Sequence, residues 1–288
     1  MAITTRSQLV AALANRKILP FYKNLTAVPS QTAQYMRNHS SWANSTAAGI
    51  PPQAGGAGVA PGVTMSSQSV SAAPVPTAAA GATWYLSGIN VQSYEFSSGT
   101  AQAMGSQLLV YDRLAQMGGL SSTSAGNAQT VTAGLPSRVS DKRQVQIFLE
   151  IYVAGGSTST AVSASYTNEA GVAGRTATLA TGAALPGSGS SPVGTIWGPF
   201  NLQAGDYGVT SVETLTFTTS TGTAGNFGVT LARLVGVCPL PGSNQTGPVR
   251  LGWAETGLPD LGADPCLFFM VPGQLAGPVG GYLEVVQG

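Results

Sequence analysis

Charge is scarce in this chain. Its 288 residues include 12 basic and 11 acidic side chains, so charged residues make up 8%, against roughly a quarter in an ordinary soluble domain. Serine, threonine, asparagine, glutamine and glycine must supply the polar surface instead. Such a surface suits a chain packed against neighbours or exposed in a rugged particle. Histidine occurs once, as His39. A Ser-His-Asp triad would have to use it, and no serine sits in a G-x-S-x-G turn. The two cysteines, Cys238 and Cys266, lie far from that histidine, so no zinc-ligand cluster forms along the chain. They can close one loop as a disulfide or stand as two reduced core thiols, and a chain made in a cytosol favours the thiols. Long apolar runs are missing too, because none reaches the ~18 residues of a membrane span. "LVAALA" (Leu9 to Ala14) mimics a signal-peptide core, but "NRK" follows it in place of a small-residue cleavage site, and no export signal is expected. There is no P-loop and no strand–GxGxxG–helix unit, and "GGAG" and "GSGSSPVG" read as linkers.

Apolar residues make up 43% of the chain, with 38 Gly and 18 Pro. This is enough to bury a core, so overall disorder is excluded. The length suits one sizeable all-β domain with appendages, or two small domains. The near-neutral net charge of +1 hides an asymmetry. Residues 1–40 hold Arg6, Arg16, Lys17, Lys23 and Arg37 and no acid, whereas the rest carries seven basic and eleven acidic groups. From Asn38 to Tyr94 no residue is charged. A basic arm on a mildly acidic body favours docking on an acidic partner. The five charges are too scattered for a nucleic-acid tail, so the expected partner is a protein.

"TTRSQLVAALANRK" reads as a short helix. Thr5 caps it, Gln8 completes a capping box, and Leu9, Val10 and Leu13 fall on one face. A helix this short, below the ~12–15 residues needed in isolation, must dock on something. Pro20 is expected to end it. Tyr35, Met36 and Trp42 follow as aromatic and apolar anchors. Residues 47–82 are an uncharged Ala/Gly/Pro/Ser-rich stretch, expected to lie extended along a surface.

From residue 83 the period changes to two. "QVQIFLEIYV" places Val145, Ile147, Leu149, Ile151 and Val153 on one face and Gln146, Glu150 and Tyr152 on the other, which predicts a strand with one buried face. "VSASYT" alternates in the same way. "VETLTFTT" does so with a slip near Glu213 that a bulge absorbs. "NFGVTLARL" (Asn226 to Leu234) repeats the style. The predicted architecture is mainly β, an antiparallel, jelly-roll-like sandwich with an extended N-terminal arm containing one short helix. The expected division is a docking arm over 1–46, the linker over 47–82 and the sandwich body over 83–288.

Paired carboxylates are the remaining route to chemistry, since glycosidases need two of them ~5–10 Å apart. Glu95, Asp112, Glu150, Glu169, Glu213 and Glu284 are the candidates. Glu150 falls on the outer, solvent phase of its strand. "LLVYDRL" puts Asp112 and Arg113 after an apolar run, as at a strand end held by a neighbour. "YTNEAGVAGRTATL" reads as strand, loop and strand, with Asn168 and Gly171 for the turn. Glu169 and Arg175 face each other across the hairpin mouth. A surface ion pair there contributes only roughly 0–1 kcal/mol. "PDLGADPC" with Asp260 and Asp264 lacks the alternating ligands of a calcium loop and reads as a turn.

Four phrases carry a resemblance: "LLVYDRLAQMGGLSSTSAGNAQTV", "YTNEAGVAGRTATL", "LQAGDYGVTSVETLTFTTSTGTAGNFGVTLARL" and the ending "GGYLEVVQG". They resemble tailed-bacteriophage virion proteins of the capsid cement, or decoration, type, over about residues 1–20 and 105–288. The resemblance implies a non-enzymatic outer-capsid subunit, assembled in the host cytoplasm. It would sit as a trimer on the major capsid protein lattice, with no cofactor, substrate, membrane or direct nucleic-acid contact. Residues 47–82 have no counterpart in it. Within that reading the expected docking residues are Arg6, Leu9, Val10, Leu13, Arg16, Phe21 and Tyr22; the alternative for the helix is packing on its own body. Two other functions stay open. One is a head-fibre or tail-spike type module binding host glycans, with Trp84, Trp197 and Trp253 as stacking candidates. The other is a carboxylate-pair glycosidase using residues such as Glu150 and Glu169.

Overall fold

The structure, a computed structural model, describes residues 3–25, 37–41, 63–64, 75–93, 107–153, 155–179, 195–240, 248–272 and 277–288. In chain order the elements begin with α1 (Arg6–Ala14), β1 (Lys17–Leu25), β2 (Arg37–Ser41), β3 (Val63–Thr64), β4 (Trp84–Ser93), β5 (Gln107–Leu120), β6 (Gln129–Gly134), β7 (Val145–Val153), β8 (Val162–Asn168) and β9 (Arg175–Leu179). They continue with β10 (Thr195–Trp197), β11 (Phe200–Asn201), β12 (Val209–Phe217), β13 (Asn226–Pro239), β14 (Val249–Leu251), α2 (Trp253–Thr256), β15 (Asp260–Gly262), β16 (Leu267–Pro272) and β17 (Gly277–Gln287). The chain is mainly β, as its alternating patterns predict, and its sheets pack as a sandwich.

Three antiparallel sheets form. The first runs β1-β17-β4-β14 with β15 also on β4, the second β13-β7-β10-β2-β16-β5-β3, and the third β11-β9-β8-β12-β6. In the second sheet β13 also pairs with β5, so β5, β13, β7, β10, β2 and β16 close into a ring of strand pairings. Closure leaves those strands no free edge. One core joins the first sheet to the strands of this ring and contains Leu19, Phe21, Leu86, Val110, Phe148, Phe268 and Leu283. The other lies between the ring and the third sheet and contains Leu114, Val145, Ile147, Leu149, Tyr166, Trp197 and Leu215.

The helix starts as its sequence dictates. Thr5 Oγ1 accepts from the Gln8 N–H, and Gln8 Oε1 accepts from the Thr5 N–H at 3.0 Å. It ends at Ala14, however, not at Pro20. Pro20 lies within β1, opposite Tyr282 of β17. The edge position explains this: β1 has a neighbour on one side only, so a residue without an N–H is tolerated there. A second, one-turn helix, α2, was not read from the sequence.

Two stretches of the expected arm are strands of the sheets. β1 pairs along its length with β17, and β2 lies between β10 and β16. Within residues 47–82, Val63–Thr64 pairs with β5, and Val75 is buried in the first core. Tyr35, Met36, Trp42 and Glu95 lie outside the described residues.

The thiols of Cys238 and Cys266 are both free and buried. Burial pushes them up, to about 11 and about 12 respectively. At pH 8 the nucleophilic thiolate is therefore nearly absent. A disulfide-exchange reagent is expected to label neither thiol in the folded protein and both after unfolding in guanidinium, as read by mass spectrometry.

Candidate functional site

The most concentrated polar chemistry lies on β7. Its odd-numbered residues Val145, Ile147, Leu149 and Ile151 join the core under the third sheet. The opposite phase faces the inside of the ring, so β7 is buried on both sides except near its ends, where Gln146 is half-buried and Val153 exposed. Glu150 is thus not a solvent-phase residue, being 1% exposed. It accepts from Arg113 Nη2 at 2.6 Å, Thr230 Oγ1 at 2.8 Å and Gln116 Nε2 at 3.3 Å. Gln116 also donates to the Tyr152 hydroxyl and accepts from Arg113 Nη1. The Arg113 guanidinium lies 4.4 Å from the Phe268 ring centre, a cation–π contact. Burial, then the Glu150 charge, push the Tyr152 hydroxyl well above its usual range. Gly228 makes room for it, since a Cβ there would lie 2.2 Å from the Tyr152 oxygen.

Asp112 and Arg113 are not at a strand end either; both are buried in the middle of β5. Asp112 Oδ1 accepts from Arg138 at 2.7 Å and from the Cys266 N–H at 3.0 Å, and its Oδ2 accepts from Arg233 at 3.2 Å. No solute can reach Asp112 or Glu150, so they do not present the open carboxylate pair of a glycosidase.

The hairpin of β8 and β9 forms as read, with Gly171 at φ +83° and Gly174 at φ +71°. Asn168 Oδ1 closes the turn by accepting from Ala170 and Val172. Its charges pair differently from the expectation. Arg175 binds Asp206 in bidentate fashion at 2.9 and 3.0 Å, and Glu169 accepts from the Tyr207 and Gly208 N–H groups. Tyr166 and Asn168 also donate to Asp206. The network ties the hairpin to the loop before β12, which presents Tyr207 at 73% exposure. Asp206 is the residue that sequence reasoning missed; its partner is 31 positions away, beyond any local pattern.

Hydrogen bonds from Arg175 above all hold the Asp206 carboxyl well below the usual carboxylate range. A depressed carboxyl stabilises the fold fully above its unfolded value of about 4, and that contribution is lost as pH falls below it toward the folded value. The melting temperature of the parent protein is therefore expected to fall between about pH 4 and pH 2. Arg175→Met should flatten that limb, as measured by thermal unfolding across the range. Equal slopes for the two proteins would contradict the assignment.

The slip near Glu213 is a register shift between Val212 and Thr214 on both neighbours of β12. Around it the outer face of the third sheet is built of hydroxyls, with Thr130, Thr214, Ser165 and Thr176 side by side across four strands. Thr216, Ser163 and Thr178 form the next row.

The expected docking residues divide. Val10 is 60% exposed, Arg6 is exposed, and Leu9 and Leu13 are half-buried. Ala12 is the helix residue that the body buries. Arg16 reaches Glu284 at 3.5 Å, and Arg250 reaches the same carboxylate at 3.0 Å. Phe21 is a core residue, its ring 4.3 Å from that of Phe269, so it is unavailable for docking. The Tyr22 side chain lies outside the described residues. Of the tryptophans, Trp84 and Trp197 are buried and Trp253 is 47% exposed. Among the described residues no three His, Cys, Asp or Glu side chains converge as metal ligands. Asp260 accepts from the Gly262 N–H at 2.7 Å, as in a turn.

No family model and no curated protein matches the chain. Among solved structures it is similar to CtCBM11, at 14% identity over 52% of this chain and 96% of that one, with a TM-score of 0.26. It is also similar to the infectious bursal disease virus VP2 subviral particle, at 8% identity over 94% of this chain and 79% of that one, with a TM-score of 0.20. The Gx strain of the same virus gives 9% identity over 94% and 80%, with a TM-score of 0.19. These scores are too low for the likenesses to bear on what the chain does.

Proposed function

We propose that the chain is a non-catalytic structural subunit of a virus particle, a capsid cement protein that clamps the major capsid protein lattice from outside. The observation that carries this reading is the outer surface of the N-terminal segment. Val10 is 60% exposed and Ile18 54% exposed, and Arg6 on the same segment is exposed. This surface is both apolar and basic. Such a surface suits an acidic protein lattice. In a trimer three copies of it would act together, and effective concentration would multiply modest contacts into a firm clamp.

Co-sedimentation with particles lacking the protein tests this. The full chain is compared with one lacking residues 1–15 and with Val10→Asp. Removal of everything before Thr83 is unsuitable, because it deletes β1 with its core residues Leu19 and Phe21. The full chain is expected to bind, and both variants to lose most binding. Equal binding by all three would move the contact to the sheets, and absence of binding by the full chain would overturn the reading.

A second reading, a host-glycan-binding module, is favoured by the hydroxyl rows of the third sheet and by exposed Tyr207 and Trp253. Neutral hydroxyls and exposed aromatic rings suit sugars better than charged ligands. Binding on an array of bacterial surface polysaccharides, lost in Tyr207→Ala, would support it, and an empty array would remove it.

A further inference from the structure

One end of the first sheet opens into a pocket of about 490 Å3 beneath α1, within the size range of small-ligand sites. Ile3, Ala11, Ala12, Trp84, Gln287 and Lys17 line it. Strand alternation explains its chemistry. Leu19 and Phe21 are core residues of β1, so Lys17 takes the next core-phase position. Leu283 and Val285 are core residues of β17, so Gln287 does the same there, with Trp84 as its cross-strand partner. Where the pattern calls for two more aliphatic side chains, the chain places an ammonium and an amide.

The amide is unusual in its partners, and the ammonium lies at the pocket's exposed rim. Gln287 Nε2 is buried and meets no acceptor among the described residues. A buried donor in that state is costly, and it calls for an oxygen that the described residues do not provide. Lys17 makes no ion pair among the described residues, and no acidic side chain lines the pocket. Trp84 Nε1 already donates to the Pro76 carbonyl at 2.8 Å, so the pocket receives only the carbon surface of its ring.

We propose that this pocket binds a carboxylate carried on a short apolar group. Lys17 balances the charge, Gln287 Nε2 donates to one carboxylate oxygen, and Ile3, Ala11, Ala12 and Trp84 cover the apolar part. A free carboxylic acid and the carboxylate end of a polypeptide share this chemistry. The site goes beyond the capsid role and does not depend on it.

The test is calorimetric titration of the full chain with hexanoate and with hexanol. It is repeated with an acetylated tetrapeptide ending in a free leucine carboxylate and with its C-terminal amide. Hexanoate is expected to bind at least about tenfold more tightly than hexanol, a difference of about 1.4 kcal/mol. Lys17→Met should abolish that preference, and Arg143→Ala, remote from the pocket, should leave it intact. Gln287→Leu should weaken hexanoate while the unliganded protein melts no lower than its parent, because it removes a donor that had no partner. Tighter binding of the peptide acid than of hexanoate would assign a polypeptide as the natural source, and the reverse a small acid. Equal affinity for acid and alcohol, or a Gln287→Leu protein that melts lower yet binds hexanoate unchanged, would overturn the proposal. Particle binding is read in a separate assay, so the two readings can fail independently.

Discussion

Glu150→Ala is expected to destabilise the protein by about 3–5 kcal/mol, the range for removing one partner of a buried ion pair. Three donors converge on this carboxylate, from Arg113, Gln116 and Thr230. Alanine would leave the Arg113 guanidinium buried without a counter-charge, while its Nε already lacks a partner among the described residues. The cost is therefore mostly the penalty of an abandoned cation, not the net worth of the pair. That distinction has a consequence. Replacing both partners, Arg113→Met with Glu150→Leu, should be much less destabilising than either single change, because the desolvation cost of both charges disappears with them. Urea unfolding of the parent, the two single variants and the double variant gives the coupling energy directly. Strictly additive costs would show that the two groups do not depend on one another.

The same cluster shows where sequence patterns stop being informative. The alternation of β7 identifies Val145, Ile147, Leu149, Ile151 and Val153 as one buried face, and all are buried except Val153, which lies exposed at the strand's end. The other phase reads as solvent because Gln146, Glu150 and Tyr152 are polar. Alternation cannot distinguish water from the inside of a closed ring when polar residues satisfy one another there. Asp112 and Arg113 mislead for the same reason: two charges after an apolar run resemble a strand end, yet their partners Arg138, Glu150 and Arg233 arrive from elsewhere in the chain. Local chemistry was legible. Thr5 and Gln8 lie three residues apart and form the capping box they suggest, and the slip at Glu213 is a real bulge. Pro20 suggests a helix end by its missing N–H, but a sheet edge accommodates it equally well. On the N-terminal segment, helical spacing groups Leu9, Val10 and Leu13 on one face, but the body divides them: Leu9 and Leu13 are half-buried, Val10 is exposed and Ala12 is the buried residue. Which of them the body covers depends on where β17 and Trp84 lie, and that is a tertiary fact. The pocket was illegible for a related reason, since Lys17 and Gln287 are 270 residues apart in numbering and meet only through the pairing of β1 with β17.

Asp112→Ala should be as damaging as the loss of Glu150, at about 3–5 kcal/mol, but through a different distribution of broken contacts. The carboxylate is fully buried and serves three separate segments: Arg138 from the connection between β6 and β7, Arg233 on β13, and the backbone N–H of Cys266 just before β16. Its own strand is joined to the same place by the Arg113 N–H, which donates to the Cys266 carbonyl at 2.8 Å. Alanine would leave two largely buried guanidinium groups near each other and one buried amide without an acceptor. Asp112→Asn keeps the shape and one acceptor oxygen, so it should cost less than alanine, while still losing the charge that separates the two arginines. Hydrogen exchange gives a readout that a general loss of stability would not mimic. In the asparagine variant the Cys266 amide should stay protected, because the remaining oxygen can accept from it; in the alanine variant it should exchange faster than the amides of β7, which are anchored independently. If both variants lose protection evenly across the ring, Asp112 acts only through overall stability and not as the local junction of these three segments.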